Sequence, residues 1–149
     1  MADSDLTLGE KVPNKAERDV VGAATTKIVR GTPAFQALVE NTNVDIVFKD
    51  EEGTGADRMM TPKLKGKLDS LATLVKQEWP GVKLRVVEAW DENNEHGPNS
   101  VHYEGRAADL TVFPVDGSKL GRLGRLAVNA GLEWVFFENA LHIHASVSR

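Results

Sequence analysis

From residue 61 onward the apolar positions fall into step with a helix. Leu64, Leu68, Leu71, Leu74, Val75 and Trp79 recur every three or four residues, a spacing that gathers them on one face while the polar residues between them face water. Thr61 is placed to cap the first turn, and Pro62 suits the next position, where a backbone N–H would have no helical partner in any case. Pro80 and Gly81 then stop the helix. Leu120, Leu123, Leu126, Ala127 and Ala130 predict a second amphipathic helix, ended by Gly131 because glycine accepts the left-handed conformation that closes a last turn.

Elsewhere the period shortens to two. In 82–89 (VKLRVVEA), Val82, Leu84 and Val86 alternate with Lys83, Arg85 and Val87, the pattern of a half-buried strand. The compact apolar runs 44–48, 107–113, 134–137 and 141–147 read as further strands. Residues 1–43 are broken by Pro13, Gly22, Gly31 and Pro33 and read as short helical turns and loop, and 91–100 as a polar loop. Strands and helices mix without strict alternation, so we expect an α+β fold: a mostly antiparallel sheet with two main helices packed on one face. No repeat or linker divides it, which makes 1–149 a single domain.

Charge narrows the partners. Eighteen Lys and Arg stand against 22 Asp and Glu, a net charge of -4, so the chain does not offer the phosphate neutralisation that dominates nucleic-acid affinity. No apolar run approaches the roughly 20 residues that span a bilayer, and MADSDLTLGEK lacks the basic-then-apolar pattern of a signal peptide. The absence of cysteine excludes disulfides and thiolate ligands, leaving histidine and carboxylate for any metal.

All four histidines, His96, His102, His142 and His144, lie in the last third of the chain. On a strand, His142 and His144 share a face while Ile143 points into the core. Glu138 has the same parity across the turn at Asn139 and Ala140. His102 and Asp109 bracket Gly105, a turn between loop and strand, and with one histidine of the pair they would form the two-nitrogen, one-oxygen set of an open zinc site. Taken singly, each histidine is more often a core or surface residue than a ligand. Two acidic runs, 50–57 (DEEGTGAD) and 88–93 (EAWDEN), would supply the oxygens calcium requires if they converge, or else form two solvated loops; their spacing is not that of an EF-hand.

These residues bring out a resemblance over nearly the whole chain. VPNKAERDVVGA (12–23), DIVFKDEEGTGADRMMT (45–61), EWPGVKLRVVEAWDE (78–92), SVHYEGRAADLTV (100–112) and LEWVFFENALHIHASV (132–147) resemble the amino-terminal signalling domain of the Hedgehog family. That domain is similar in fold and zinc site to D-alanyl-D-alanine peptidases, whose SxHxxGxAxD motif stands at 100–109. The resemblance implies zinc on His102, Asp109 and His144, Glu138 as water-activating base, and His142 and His96 lining the groove as oxyanion stabilisers. It also implies calcium on Glu51, Glu52, Asp57, Glu88 and Asp91, with Asn93 in place of a sixth acid.

Two readings follow. The first is a zinc-dependent peptidase acting on peptide bonds, peptidoglycan stem peptides among them. The alternative is a non-catalytic zinc- and calcium-binding signalling or adhesion module that docks a protein partner at the groove or the calcium loops. The resemblance favours a secreted or periplasmic location. The family's internal cysteines are replaced by Leu64 and Ala145, and we therefore expect a lineage outside the animals.

Overall fold

The computed structural model describes residues 4–49, 54–92, 96–97 and 99–149. In chain order the elements are β1 (Lys11–Val12), α1 (Glu17–Val21), α2 (Pro33–Gln36), β2 (Val39–Glu40), β3 (Ile46–Phe48), β4 (Met59–Met60), α3 (Pro62–Glu78), β5 (Lys83–Glu88), β6 (Ala107–Phe113), α4 (Leu120–Asn129), β7 (Trp134–Phe136) and β8 (Ile143–Ser146). Six strands form one sheet in the order β1-β7-β8-β6-β5-β3. Every pairing in it is antiparallel except β3 with β5. β2 and β4 form a separate antiparallel pair.

The two helices form as their periodicity predicts. The Thr61 hydroxyl accepts the Leu64 N–H at 3.3 Å, Pro62 opens α3, and Leu64, Leu68, Leu71, Ala72 and Val75 are buried. Leu120, Leu123, Leu126 and Ala127 bury the inner face of α4. The helices touch each other and both touch the sheet, so they cover one face of it. Leu84, Val86, Leu110, Val112, Val135, Ile143 and Ala145 meet them in a single apolar cluster. At Gly121 an added Cβ would stand 2.5 Å from the Leu6 carbonyl oxygen, which explains how residues before β1 lie directly on α4.

Several strand boundaries differ from expectation, each for a local reason. Val44 is 81% exposed and lies outside β3. Leu141 and His142 precede β8 because both their N–H groups donate to the Asn139 side-chain oxygen, which holds 139–142 as a turn. The register shifts between Val86 and Glu88, so the alternation of β5 ends in a bulge. β1 and β2, in the stretch read as turns and loop, are two residues long. Strands of that length have no period of their own and exist through their partners.

Parity then decides the other face. Ala108, Leu110 and Val112 point to the helices, which leaves Ala107, Asp109 and Thr111 on the opposite side; Ile143 and Ala145 do the same for His144 and Ser146. A small cluster of Val21, Val101, Ala107 and Trp134 packs there, and the histidines stand beside it.

Candidate metal centre

Asp109 is the hub of this face. It sits opposite His144 in the β6–β8 ladder and opposite Glu88 across the bulge of β5. His102 arrives from a 3₁₀ turn, Val101–Glu104, capped by Ser100, whose hydroxyl accepts the His102 N–H at 3.2 Å. Gly105 closes the turn at φ 71°, and a Cβ there would stand 2.7 Å from Leu38 Cδ2. Both facts call for glycine.

The ring nitrogens fix what the site can hold. His102 Nδ1 lies 2.7 Å from the Ala89 carbonyl, which only accepts, so Nδ1 carries the hydrogen and Nε2 faces Asp109 Oδ1 at 3.2 Å. His144 is bonded on both sides as well: Nε2 to Glu17 Oε2 at 2.6 Å and Nδ1 to Asp109 Oδ1 at 3.1 Å. On both rings each nitrogen therefore meets an oxygen acceptor, and a cation, proton or metal ion, must stand between the inner nitrogens and Asp109. Donors about 2.0–2.1 Å from a tetrahedral zinc are about 3.3 Å apart, close to the two contacts at Asp109 Oδ1. By donor type the set suits zinc, two imidazole nitrogens and a carboxylate oxygen with both rings meeting Asp109 Oδ1, although the three donors do not all lie within 4.8 Å of one another.

Without a metal the face binds protons. Burial opposes charge on His144, but hydrogen bonds to Asp109 and Glu17 outweigh it and push its pKa up to about 10. Burial opposes charge on His96 too, and Asp109, Asp91 and Glu88 raise it to about 9. Asp109 is held well below the usual carboxylate range, its burial outweighed by His102 and His144.

The remaining expected residues gather around the hub. His96 stacks on His102 with ring centroids 4.0 Å apart and places Nδ1 2.8 Å from Asp91 Oδ2. His142 Nε2 stands 3.1 Å from Glu138 Oε1 and 3.6 Å from Asp109 Oδ2. Through that hydrogen bond Glu138 raises His142, and His142 lowers Glu138. Among the described residues three groups have all donors within 4.8 Å: His96, His102 and Asp109; Glu88, Asp91 and His96; and Asp109, Glu138 and His142. The set His102, Asp109 and His144 is not one of these groups and meets instead through Asp109 Oδ1.

A cavity of about 240 Å³ opens over the centre, lined by Glu17, His96, His102, Trp134, Glu138 and His144 among others. A larger apolar hollow of about 580 Å³ lies elsewhere, against the start of α3. Its buried ions, Glu104 and Arg106, already satisfy each other, and the histidine chemistry is not there.

Of the expected calcium residues, Glu51, Glu52 and Asn93 lie outside the described residues. Asp57 and Asp91 are buried and Glu88 is half-buried. The 3₁₀ turn carrying Asp57, Ala56–Arg58, packs against β5, whose last residue is Glu88.

Glu17 was not among the expected residues. It lies in a five-residue helix 127 positions before His144, and no spacing rule connects the two.

The family model of the Hedgehog amino-terminal signalling domain matches residues 3–146. The chain is 54% identical over 144 residues to the Sonic hedgehog protein of Xenopus laevis, covering 95% of this chain and 32% of that protein. It is 52% identical to the Indian hedgehog protein of Gallus gallus (91% and 34%) and 49% identical to Protein hedgehog of Drosophila hydei (95% and 30%). The chain spans about a third of the length of these relatives. All three are animal proteins, so the expectation of a lineage outside the animals finds no support.

Proposed function

Because the chain belongs to the Hedgehog amino-terminal signalling-domain family, we propose that it is an extracellular signalling domain that docks a protein partner over its histidine face, with zinc held by His102, Asp109 and His144. The observation that carries the reading is the family match over residues 3–146. The double acceptor environment of both rings supports the metal. Among the described residues no helix is long and apolar enough to cross a membrane.

When bound, zinc would be held by His102, Asp109 and His144 and would supply a Lewis acid. The protein's own groups set the rest of the surface. Ala89 and Glu17 hold the outer nitrogens of the ligand rings. Trp134 and Phe136 give the cavity apolar walls, and Glu138, hydrogen-bonded to His142, lines it as well. A partner inserting one polar group between aromatic walls would be desolvated there, the anatomy of a binding hot spot. Calcium on the set the resemblance implies, Glu51, Glu52, Asp57, Glu88, Asp91 and Asn93, would rigidify the neighbouring loops and add a second docking edge.

The test is a cell reporter that responds to a vertebrate Sonic hedgehog amino-terminal domain. Zinc-loaded protein is expected to compete with or activate that response, and Asp109→Asn to do neither. A folded, zinc-loaded protein without effect would overturn docking to that class of partner.

Hydrolysis is the second reading, favoured by the placement of Glu138 and His142 beside Asp109 above an open cavity. Against it, a general base works best with a pKa near the working pH, and His142 draws Glu138 the other way. Zinc-loaded protein incubated with muropeptides and an unstructured protein, beside Glu138→Gln, decides the matter. Product absent only in the variant would make the domain a peptidase.

A further inference from the structure

We infer that Glu17 is a positioning residue of the metal centre: its carboxylate grips Nε2–H of His144 and so presents Nδ1, lone pair first, to the place beside Asp109 Oδ1 where the ion would sit. The inference rests on the zinc reading above and deepens it.

Three observations carry it. First, the contact is short and shielded: Glu17 Oε2 lies 2.6 Å from His144 Nε2, with side-chain exposures of 23% and 11%. Because a carboxylate accepts, that nitrogen must be the protonated one, which leaves Nδ1 as the nitrogen free to bind a metal once its own proton is displaced.

Second, Glu17 has a counterpart. The outer nitrogen of His102 is held by the Ala89 carbonyl, so both ligand rings are braced from behind, one by backbone and one by a charge. A carboxylate behind a ligating imidazole fixes its tautomer and raises its basicity.

Third, α1 is anchored independently of the histidine. Arg18 donates to Glu104 at 2.8 Å and to the Asn99 carbonyl, Val21 packs with Val101, Ala107 and Trp134, and Trp134 Nε1 donates to the Lys15 carbonyl at 2.8 Å. The carboxylate is thus delivered by a fixed segment and does not simply follow His144.

The experiment measures zinc affinity by competition with a chromophoric chelator for wild type, Glu17→Gln, Glu17→Ala and Asp109→Asn, with Co²⁺ absorption as a report of ligand geometry. Gln keeps an acceptor but loses the charge, so the expected order is wild type, then Gln, then Ala, with Ala about 10- to 100-fold weaker than wild type and its Co²⁺ spectrum altered. Near-ultraviolet circular dichroism of the metal-free proteins checks that α1 remains docked. Wild-type zinc affinity and an unchanged Co²⁺ spectrum in a folded Glu17→Ala overturn the inference alone. Wild-type protein that binds no zinc, indistinguishable from Asp109→Asn, overturns the zinc reading and the inference with it.

Discussion

Replacing Glu104 by glutamine tests how the site-bearing turn is held. Glu104 Oε1 accepts from Arg106 Nε and Nη2; Oε2 accepts from Arg18 at 2.8 Å and from the Thr25 N–H at 3.2 Å. Arg106 is 2% exposed and donates to the Val21 and Val147 carbonyls at 2.8 Å each. One buried carboxylate thereby ties α1, the turn carrying His102, and the end of the chain. Burial raises its pKa, but the hydrogen bonds from Arg106, Thr25 and Arg18 win and bring it to about 2 from 4.5. At about 1.4 kcal/mol per pKa unit, this is worth about 3 kcal/mol of folding stability. Breaking a buried ion pair by removing one partner costs about 3–5 kcal/mol, which agrees.

Because the folded-state pKa is depressed, the contribution is fully present above about pH 4.5 and is lost as pH falls through about 2. Urea unfolding of metal-free wild type and Glu104→Gln, from pH 7 down to about 2.5, should show a gap of about 3 kcal/mol at neutral pH that closes below about pH 4.5. Other carboxylates, Asp109 included, titrate in both proteins and cancel in the difference. A gap under about 1 kcal/mol at pH 7, the usual yield of an exposed pair, or one independent of pH, would refute the reasoning.

Three further outcomes are expected. Chelation should lower the melting temperature of zinc-loaded wild type by about 5–10 °C if zinc was present at about 100 times its dissociation constant, and leave Asp109→Asn unmoved; equal shifts would take the metal away from Asp109. Zinc affinity should rise from pH 7 to 9, because zinc must displace a proton from His144, whose pKa is raised to about 10; the charge on this ring stabilises the metal-free fold below about pH 6.5 and is lost as pH passes about 10. Isothermal titration in two buffers of different ionisation heat should register that proton release, and none registered would contradict the His144 contacts. Leu68→Ala, at a fully buried position of α3, should cost about 2–5 kcal/mol in urea unfolding with zinc affinity unchanged.

What the sequence disclosed depended on range. α3 and α4 were legible because their period repeats over several turns and Thr61, Pro62 and Gly131 mark their ends. The shared face of His142 and His144 followed from strand parity, although His142 stands in the turn before β8. The 3₁₀ turn at His102 could be placed because Gly105 must take positive φ. Interactions with no local signature stayed hidden. β1 forms only where β7 offers an edge. The bulge that sets Glu88 opposite Asp109 leaves no mark in VKLRVVEA. Glu17 reaches His144 because α1 is clamped by Arg18 and Trp134, contacts spanning more than 80 residues of chain.

Asp109 and His144 are facing partners in the β6–β8 ladder, and the two strands are buried against helices on their other side. A slip of one residue would turn the carboxylate and the imidazole into the hydrocarbon layer and bring Ala108 or Ile143 out in their place. Strand register and donor set are therefore one specification, written once. If His102, Asp109 and His144 hold an ion as proposed, a chain that retained it would have paired its central strands correctly, and metal retention would serve as a proofreading mark of the fold.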